Sequence, residues 1–145
     1  MATVLNPYLA FRGNAREAME FYSRALGGEL TISTFGENHA SQDPSEDELV
    51  MHSRLMNPAG LVLMGSDTPE RMPFNPGDTV SISLGGDDAE ALQGYWDALS
   101  AGATVLQPLV EAPWGDSFGM LRDRFGFTWL VNIAGSATEG DAART

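Results

Sequence analysis

The residue whose chemistry stands out first is a histidine in a short segment of alternating side chains. His52 lies in the segment LVMHSRLM, and residues two apart on a strand point to the same side, so His52, Arg54 and Met56 share one face. Imidazole gains and loses a proton near neutral pH, which suits a general acid or base. The alternative is a strand histidine that bonds to the backbone or lies at a subunit contact. His52, Arg54 and Met56 are therefore candidate ligand contacts, with His52 a candidate acid or base.

A second candidate is the segment APWGDSFG, which begins at Ala112. Trp114 and Asp116 would bring an aromatic ring and a carboxylate to the end of a strand. A tryptophan-glycine turn whose ring covers the end of the sheet is the alternative. The segment therefore predicts either a ligand contact or a structural turn.

Methionine and tryptophan supply the remaining candidates. The methionines at 51, 56, 64, 72 and 120 fall mostly in predicted hairpin strands, where they suit either an irregular core or an adaptable apolar pocket. Trp129 lies in the strand FTWLVN, and alternate residues of that strand must face opposite sides. Met64 and Trp129 are therefore predicted ligand contacts, with the core as the alternative for both.

Composition excludes several chemistries. The 145 residues contain no cysteine and no lysine, which excludes thiolate metal sites, cysteine nucleophiles and Schiff bases. The net charge of −12 predicts no nucleic-acid or membrane partner, since such a surface repels phosphates and anionic lipids. The sequence also has no apolar run long enough to span a bilayer and no basic region ahead of its first apolar residues. A cytoplasmic protein is the expectation.

An internal repeat organises the chain. The segment 16–26 aligns with 89–99 at an offset of 73, and both are amphipathic at helical spacing. Identical residues stand at five of the 11 positions: Glu17/Glu90, Ala18/Ala91, Tyr22/Tyr95, Ala25/Ala98 and Leu26/Leu99. Asn14 and Asp87 precede the two segments and are predicted helix caps.

The repeat continues on both sides of the helices. PYLAFRG and VSISLGG each predict a strand that leads into the helix, and HSRLMNPAGLVLMGSD matches FGMLRDRFGFTWLVNI when Gly60 is set on Gly126. The sequence predicts strand–helix–three strands, twice, in one α+β domain over 1–133. The first module covers 4–67, a proline-rich linker 68–78, the second module 79–133, and a disordered tail 134–145.

This doubled unit resembles the vicinal oxygen chelate superfamily, which includes glyoxalase I, extradiol dioxygenases and bleomycin-binding proteins. The segments NPYLAFRGNAREAMEFYSRALGGEL and PWGDSFGMLRDRFGFTWLVN resemble its PhnB-like branch, often labelled demethylubiquinone methyltransferase. The resemblance implies a glyoxalase-like fold of tandem βαβββ modules, with curled mixed sheets around a cavity. It also implies a homodimer.

The resemblance further implies four positions that hold a divalent metal in metal-binding relatives. In this sequence they fall on Pro7, Met64, Val80 and Leu130, the last where such a relative carries glutamate. Divalent metals of this kind need imidazole and carboxylate ligands, which these residues do not supply. We therefore expect no metal and no cofactor.

Methyltransferase chemistry is not expected either. The loops FRGNARE and LGGDDAE lack the glycine spacing of an S-adenosylmethionine-binding unit, and neither module predicts a parallel βαβ run. The sequence instead predicts a metal-independent protein that binds a small apolar or aromatic molecule. The alternative is an isomerase or lyase that uses His52 or Asp116 as its acid or base.

Overall fold

The computed structural model describes residues 3–135, which form two compact units divided between Pro76 and Gly77. Each unit contains one strand, one helix and three further strands in that order. The first comprises β1 (Tyr8–Phe11), α1 (Ala15–Leu26), β2 (Glu29–Thr34), β3 (Val50–Met56) and β4 (Val62–Asp67), with a 3-10 turn at Pro44–Glu46. The second comprises β5 (Ser81–Gly86), α2 (Ala89–Leu99), β6 (Thr104–Glu111), β7 (Ser117–Arg122) and β8 (Thr128–Ile133).

The two units have the same sheet topology. The strand orders are β1-β4-β3-β2 and β5-β8-β7-β6. In each sheet the first strand runs parallel to the last, and the remaining pairs are antiparallel. The predicted α+β class and the doubled βαβββ unit are confirmed, while the single domain over 1–133 and the enclosed cavity stay predictions.

One face of the first sheet is covered by α1. Met19 and Tyr22 of the helix are fully buried, and a side-chain carbon added at Gly65 of β4 would come within 3.2 Å of the Met19 sulfur. Gly65 and its neighbours Leu9 and Ser53 in the sheet register therefore face the helix. Burial of large apolar side chains contributes about 1.5–3 kcal/mol each, so this layer supplies much of the unit's stability.

The second sheet is covered by α2 in the same way. Trp96 lies so close to Gly119 of β7 that a side-chain carbon at Gly119 would come within 2.8 Å of the indole ring. Leu121 and Val131, which share the side of Gly119, are fully buried. The helix side of each sheet is therefore its core side.

The helix caps differ from the sequence prediction. Asn14 precedes α1 but makes no side-chain capping bond, and the cap of α2 is Asp88, one residue after the predicted Asp87. The amides at the start of α1 instead donate to the carboxylate of Asp67, at the end of β4. The prediction was wrong for α1 because the capping group comes from a strand more than 50 residues away.

The β3–β4 and β7–β8 turns repeat one another in atomic detail. Asn57 N–H donates to Leu61 C=O, and Gly60 N–H donates to Asn57 C=O. Asp123 forms the equivalent pair of bonds with Phe127 and Gly126, 66 residues later. The repeat inferred from the sequence therefore extends to the hydrogen bonds of its turns.

The first part of the segment predicted as a linker is bound by Arg12, the residue that follows β1. Arg12 donates to the Glu70 carboxylate (3.2 Å) and to the Met72 carbonyl (2.8 Å), and its guanidinium lies 5.2 Å from the centre of the Phe74 ring. These contacts hold residues 70–74 against the first unit.

Only the first two residues of the predicted tail fall in the described part of the chain. Ala134 N–H donates to Gly86 C=O, and Gly135 N–H donates to Asp116. The predicted disorder from 136 onward lies outside the described residues. Within residues 3–135 no helix is long and apolar enough to cross a membrane.

Candidate functional site

The side of the first sheet that faces away from α1 carries the predicted residues of β3. Leu55 is buried toward the helix, so its neighbours Arg54 and Met56 point the other way, and His52 shares their side. Arg54 and Met56 are exposed and His52 is half-buried. The structure thus brings these three predicted residues to one face.

The neighbouring strands add two more side chains to that face. Met64 of β4 pairs with Arg54, and Tyr8 of β1 pairs with Met64, so the three form one row across the sheet. We call the surface formed by Tyr8, His52, Arg54, Met56 and Met64 the first open face. Tyr8 was not among the predicted ligand contacts, although the burial of Leu9 and Phe11 on alternate positions fixes its direction.

Tyr8 and His52 form a polar pair on this face. The Tyr8 hydroxyl and His52 Nδ1 are 3.1 Å apart, and the two rings are 5.8 Å apart at a tilt of 34°. If the hydroxyl donates to Nδ1, the imidazole keeps its Nε2–H for another acceptor. If Nδ1–H donates instead, the hydroxyl keeps its own hydrogen. In both arrangements the pair retains one polar hydrogen for a ligand.

Arg54 is the cation of this face. No described residue gives its guanidinium a hydrogen bond or an ion pair. Its backbone pairs with β2 and β4, and its carbonyl also accepts a long bond of 3.5 Å from the Thr31 hydroxyl. Glu29 is the nearest acid by sheet register, since it pairs with Met56 one row away, yet the two groups form no ion pair.

The second sheet has a comparable surface. Leu130 of β8 pairs with Met120 of β7, both on the side opposite the buried Trp129 and Leu121. Phe118 shares the side of Met120, and the half-exposed ring of Trp114 lies 6.3 Å from it. We call Trp114, Phe118, Met120 and Leu130 the second open face. These four residues form an apolar cluster, and Arg122, Thr128 and Asn132 lie on the same side of the sheet.

Two predicted residues have structural positions instead. Asp116 is 1% exposed, and its carboxylate accepts from Asn132 Nδ2 (3.1 Å) and Gly135 N–H (2.9 Å). Trp129 is also 1% exposed, and its indole N–H donates to Asp123 at 2.8 Å. We therefore place Trp129 in the helix-side core, and Asp116 among the groups that anchor the ends of β7 and β8.

The positions that hold a metal in related proteins do not fit one here. Met64 supplies only a thioether, Pro7 and Leu130 supply no side-chain donor, and Val80 is an 80% exposed aliphatic residue. A hard divalent ion needs carboxylate or imidazole ligands, so this set of side chains does not fit such an ion. Among residues 3–135 no group of three or more His, Cys, Asp or Glu side chains is arranged to hold a metal.

Comparisons with known proteins agree with this architecture. The family model described as 3-demethylubiquinone-9 3-methyltransferase matches residues 3–132. The protein PA1353 from Pseudomonas aeruginosa is 37% identical, with 91% of this chain and 98% of that chain covered and a TM-score of 0.78.

Two further solved structures share the fold. A structure from Bacillus cereus described as a putative 3-demethylubiquinone-9 3-methyltransferase, PhnB protein, is 24% identical over 91% of this chain and 100% of its own, with a TM-score of 0.69. A glyoxalase/bleomycin resistance protein/dioxygenase family enzyme from Burkholderia phytofirmans is 15% identical over 91% and 98%, with a TM-score of 0.61. The chain belongs to the 3-demethylubiquinone-9 3-methyltransferase family and has a glyoxalase-like fold.

Proposed function

We propose that this chain is a metal-independent protein that binds a small apolar or aromatic molecule on its open faces. The observation that carries the proposal is the outward position of Met56, Met64, Met120 and Leu130. A sheet with one face on its core normally presents polar side chains on the other. Here both outward faces present thioethers or aliphatic groups among their polar side chains, and a ligand that covers these apolar groups lowers the free energy.

Methionine suits such a surface physically. Its unbranched side chain and polarisable sulfur adapt to irregular ligand shapes and make favourable contacts with aromatic rings. Met56 is 42% exposed, so a ligand that covers it removes apolar area from water at about 25 cal/mol per Å². The aromatic rings of the second open face offer the same kind of contact.

Metal independence is supported by the donor set at the four family positions. Metal-bound water and Lewis-acid catalysis both require ligands that hold the ion, and Pro7, Met64, Val80 and Leu130 do not. Homodimer formation and a cytoplasmic location, both expected from the sequence, stay predictions.

The family's name describes methyl transfer, which we do not propose for this chain. The loop between β1 and α1 contains one glycine, Gly13, whereas a nucleotide-binding turn needs several at fixed spacing. The strand after α1 is β2, at the opposite edge of the sheet from β1, so the two do not form the parallel βαβ unit of such sites.

A neutral aromatic probe tests the proposal. We expect 1-naphthamide to raise the melting temperature in proportion to ln(1 + [L]/Kd), equally with and without EDTA. Met64→Gln should weaken this stabilisation, because a polar amide replaces the thioether on the first open face. Differential scanning fluorimetry measures both.

Met72→Gln is the matched control, since Met72 is 48% exposed but lies in the segment held by Arg12, outside the strands of the first sheet. It should leave the stabilisation unchanged. The absence of any shift with 1-naphthamide, or a shift that EDTA abolishes, would contradict the proposal.

The Tyr8–His52 bond favours a second candidate, an isomerase or lyase in which His52 is the acid or base. A histidine whose ring is oriented by a neighbouring hydroxyl resembles a positioned proton-transfer group. Asp116 fits this role less well than His52 does, because its carboxylate is buried and accepts hydrogen bonds from Asn132 and Gly135.

His52→Ala separates a site residue from a structural one. Because His52 is half-buried and its described hydrogen bond is with an exposed tyrosine, we expect the free energy of unfolding to fall by less than about 1 kcal/mol. Urea denaturation measures it. A loss above about 3 kcal/mol would assign a structural role to His52 and contradict its role as the acid or base.

A further inference from the structure

We propose that the ligand of the first open face is an apolar or aromatic acid. Its carboxylate is bound by Arg54 and by the Tyr8–His52 pair, and its apolar body lies on Met56 and Met64. This inference rests on the proposed binding function and deepens it by naming the class of ligand.

The position of Arg54 is the first argument. β3 is an interior strand of its sheet, so the Arg54 side chain rises from the middle of the face, beside Met64, and is not at its rim. Arg16 and Arg24, by contrast, extend from exposed positions of α1 into water. A cation among thioethers, without an acid partner in the described part of the chain, is available to a ligand's anion.

The excess of hydrogen-bond donors over acceptors on the first open face is the second argument. The guanidinium has only donors, and the Tyr8–His52 pair retains at least one donor in either tautomer. No carboxylate of this face accepts from them, since Glu29 lies a row away and makes no ion pair with Arg54. The face therefore matches a group that accepts several hydrogen bonds, as a carboxylate does.

The second open face can be compared with the first position by position, because the internal repeat gives both modules the same fold. At an offset of 66, His52 and Arg54 correspond to Phe118 and Met120, while Met64 corresponds to Leu130; all three of these counterparts lie on the second open face. At an offset of 73, Tyr8 corresponds to Ser81. An apolar side chain is kept at the Met64 position, Met56 corresponds to the exposed Arg122, and the polar positions of the first open face differ between the modules. The fold thus does not require these polar residues, which indicates that the first open face uses them for recognition.

The spacing of the outward side chains on β3 indicates the size of the acid that the first open face can accommodate. His52 and Arg54 are two residues apart on one side of the strand, a separation of roughly 6.7 Å, so long side chains from both can converge on one carboxylate. Met56 lies a further two residues along, so the face extends about 13 Å from His52 to Met56. That length fits an acid of one or two fused rings.

The test compares an acid with its neutral amide. Isothermal titration calorimetry at low ionic strength should show that 1-naphthoate binds the wild-type chain at least about tenfold more tightly than 1-naphthamide. Arg54→Gln should weaken naphthoate binding by roughly 10- to 100-fold, the usual effect of losing a charge-assisted hydrogen bond. It should change naphthamide binding by less than about threefold.

Arg16→Gln is the matched control, because it makes the same change in net charge on the helix side of the sheet. It should leave both affinities within about twofold of wild type. An equal loss in the two variants would assign the preference to overall charge and overturn the contact with Arg54.

Different outcomes would contradict the apolar binding site and the acid as its ligand. Equal affinity for naphthoate and naphthamide, unchanged by Arg54→Gln, would overturn the acid while leaving the apolar binding site in place. Failure of both probes to bind would overturn the apolar site, and the acid with it. Naphthoate preference that survives Arg54→Gln but is lost in Tyr8→Phe and His52→Gln would overturn the role of the guanidinium.

Discussion

Asp67→Ala is expected to lower the free energy of unfolding by about 3–5 kcal/mol. The Asp67 carboxylate is 4% exposed and accepts from three backbone amides: Gly13 (2.8 Å), Ala15 (3.0 Å) and Val50 (2.9 Å). Its removal leaves these N–H groups without their acceptor, and each buried unsatisfied group costs about 1–3 kcal/mol. It also removes a negative charge from the N-terminus of α1. Guanidinium denaturation followed by far-UV circular dichroism measures the loss.

Asp88→Ala provides the comparison. Asp88 also caps a helix, α2, but it accepts one described bond, from Ala91 N–H at 3.1 Å, in an exposed position. A local cap of this kind contributes about 1 kcal/mol. An Asp67→Ala loss no larger than that of Asp88→Ala would show that the remote carboxylate does not hold β1, α1 and β3 together.

Gly28→Ala is expected to destabilise the fold by about 2–5 kcal/mol. Gly28 has φ +108°, which is unfavourable for a residue with a side chain. A carbon at this position would lie 2.3 Å from the Met56 carbonyl oxygen and 2.6 Å from the Asn57 Cα, so the backbone of the β3–β4 turn would have to move. Thermal denaturation followed by circular dichroism measures the effect.

Gly27→Ala separates the two causes. Gly27 also has positive φ, +77°, but a carbon there would meet nothing within 4 Å. It should therefore show only the conformational contribution, about 1–3 kcal/mol, and destabilise the fold less than Gly28→Ala does. If the two substitutions have equal effects, the close approach of Gly28 to the turn is not a source of strain.

The fold could be predicted because the same order of strands and helix occurs twice in the sequence. Each helix is amphipathic over local residues, and Asn57 and Asp123 begin turns whose form depends on neighbours in sequence. The cap of α1 could not be predicted, because Asp67 reaches Ala15 only after β4 has paired with β1. Local spacing alone therefore predicts Asn14, which precedes the helix in the sequence.

In the candidate site, too, local spacing predicts some features, and the order of strands in the sheet determines others. The common face of His52, Arg54 and Met56 follows from the two-residue period of a single strand, which the sequence contains. The Tyr8–His52 pair depends on the order of strands in the sheet, and so does the row of Tyr8 and Met64. For Trp129, the alternation of side chains leaves open which side of β8 faces α2, and only the packing of the helix decides it.

The three tryptophans have a further consequence. Trp96, Trp114 and Trp129 all follow Gly77, so indole emission comes from the second unit alone. Two of them are nearly buried, at 8% and 1% exposure, whereas Trp114 is 50% exposed beside Phe118. The molecule therefore carries an optical label on one half, and Tyr8 and Tyr22 are the described chromophores of the other. A red shift of the indole spectrum marks the opening of the second unit, whatever state the first is in.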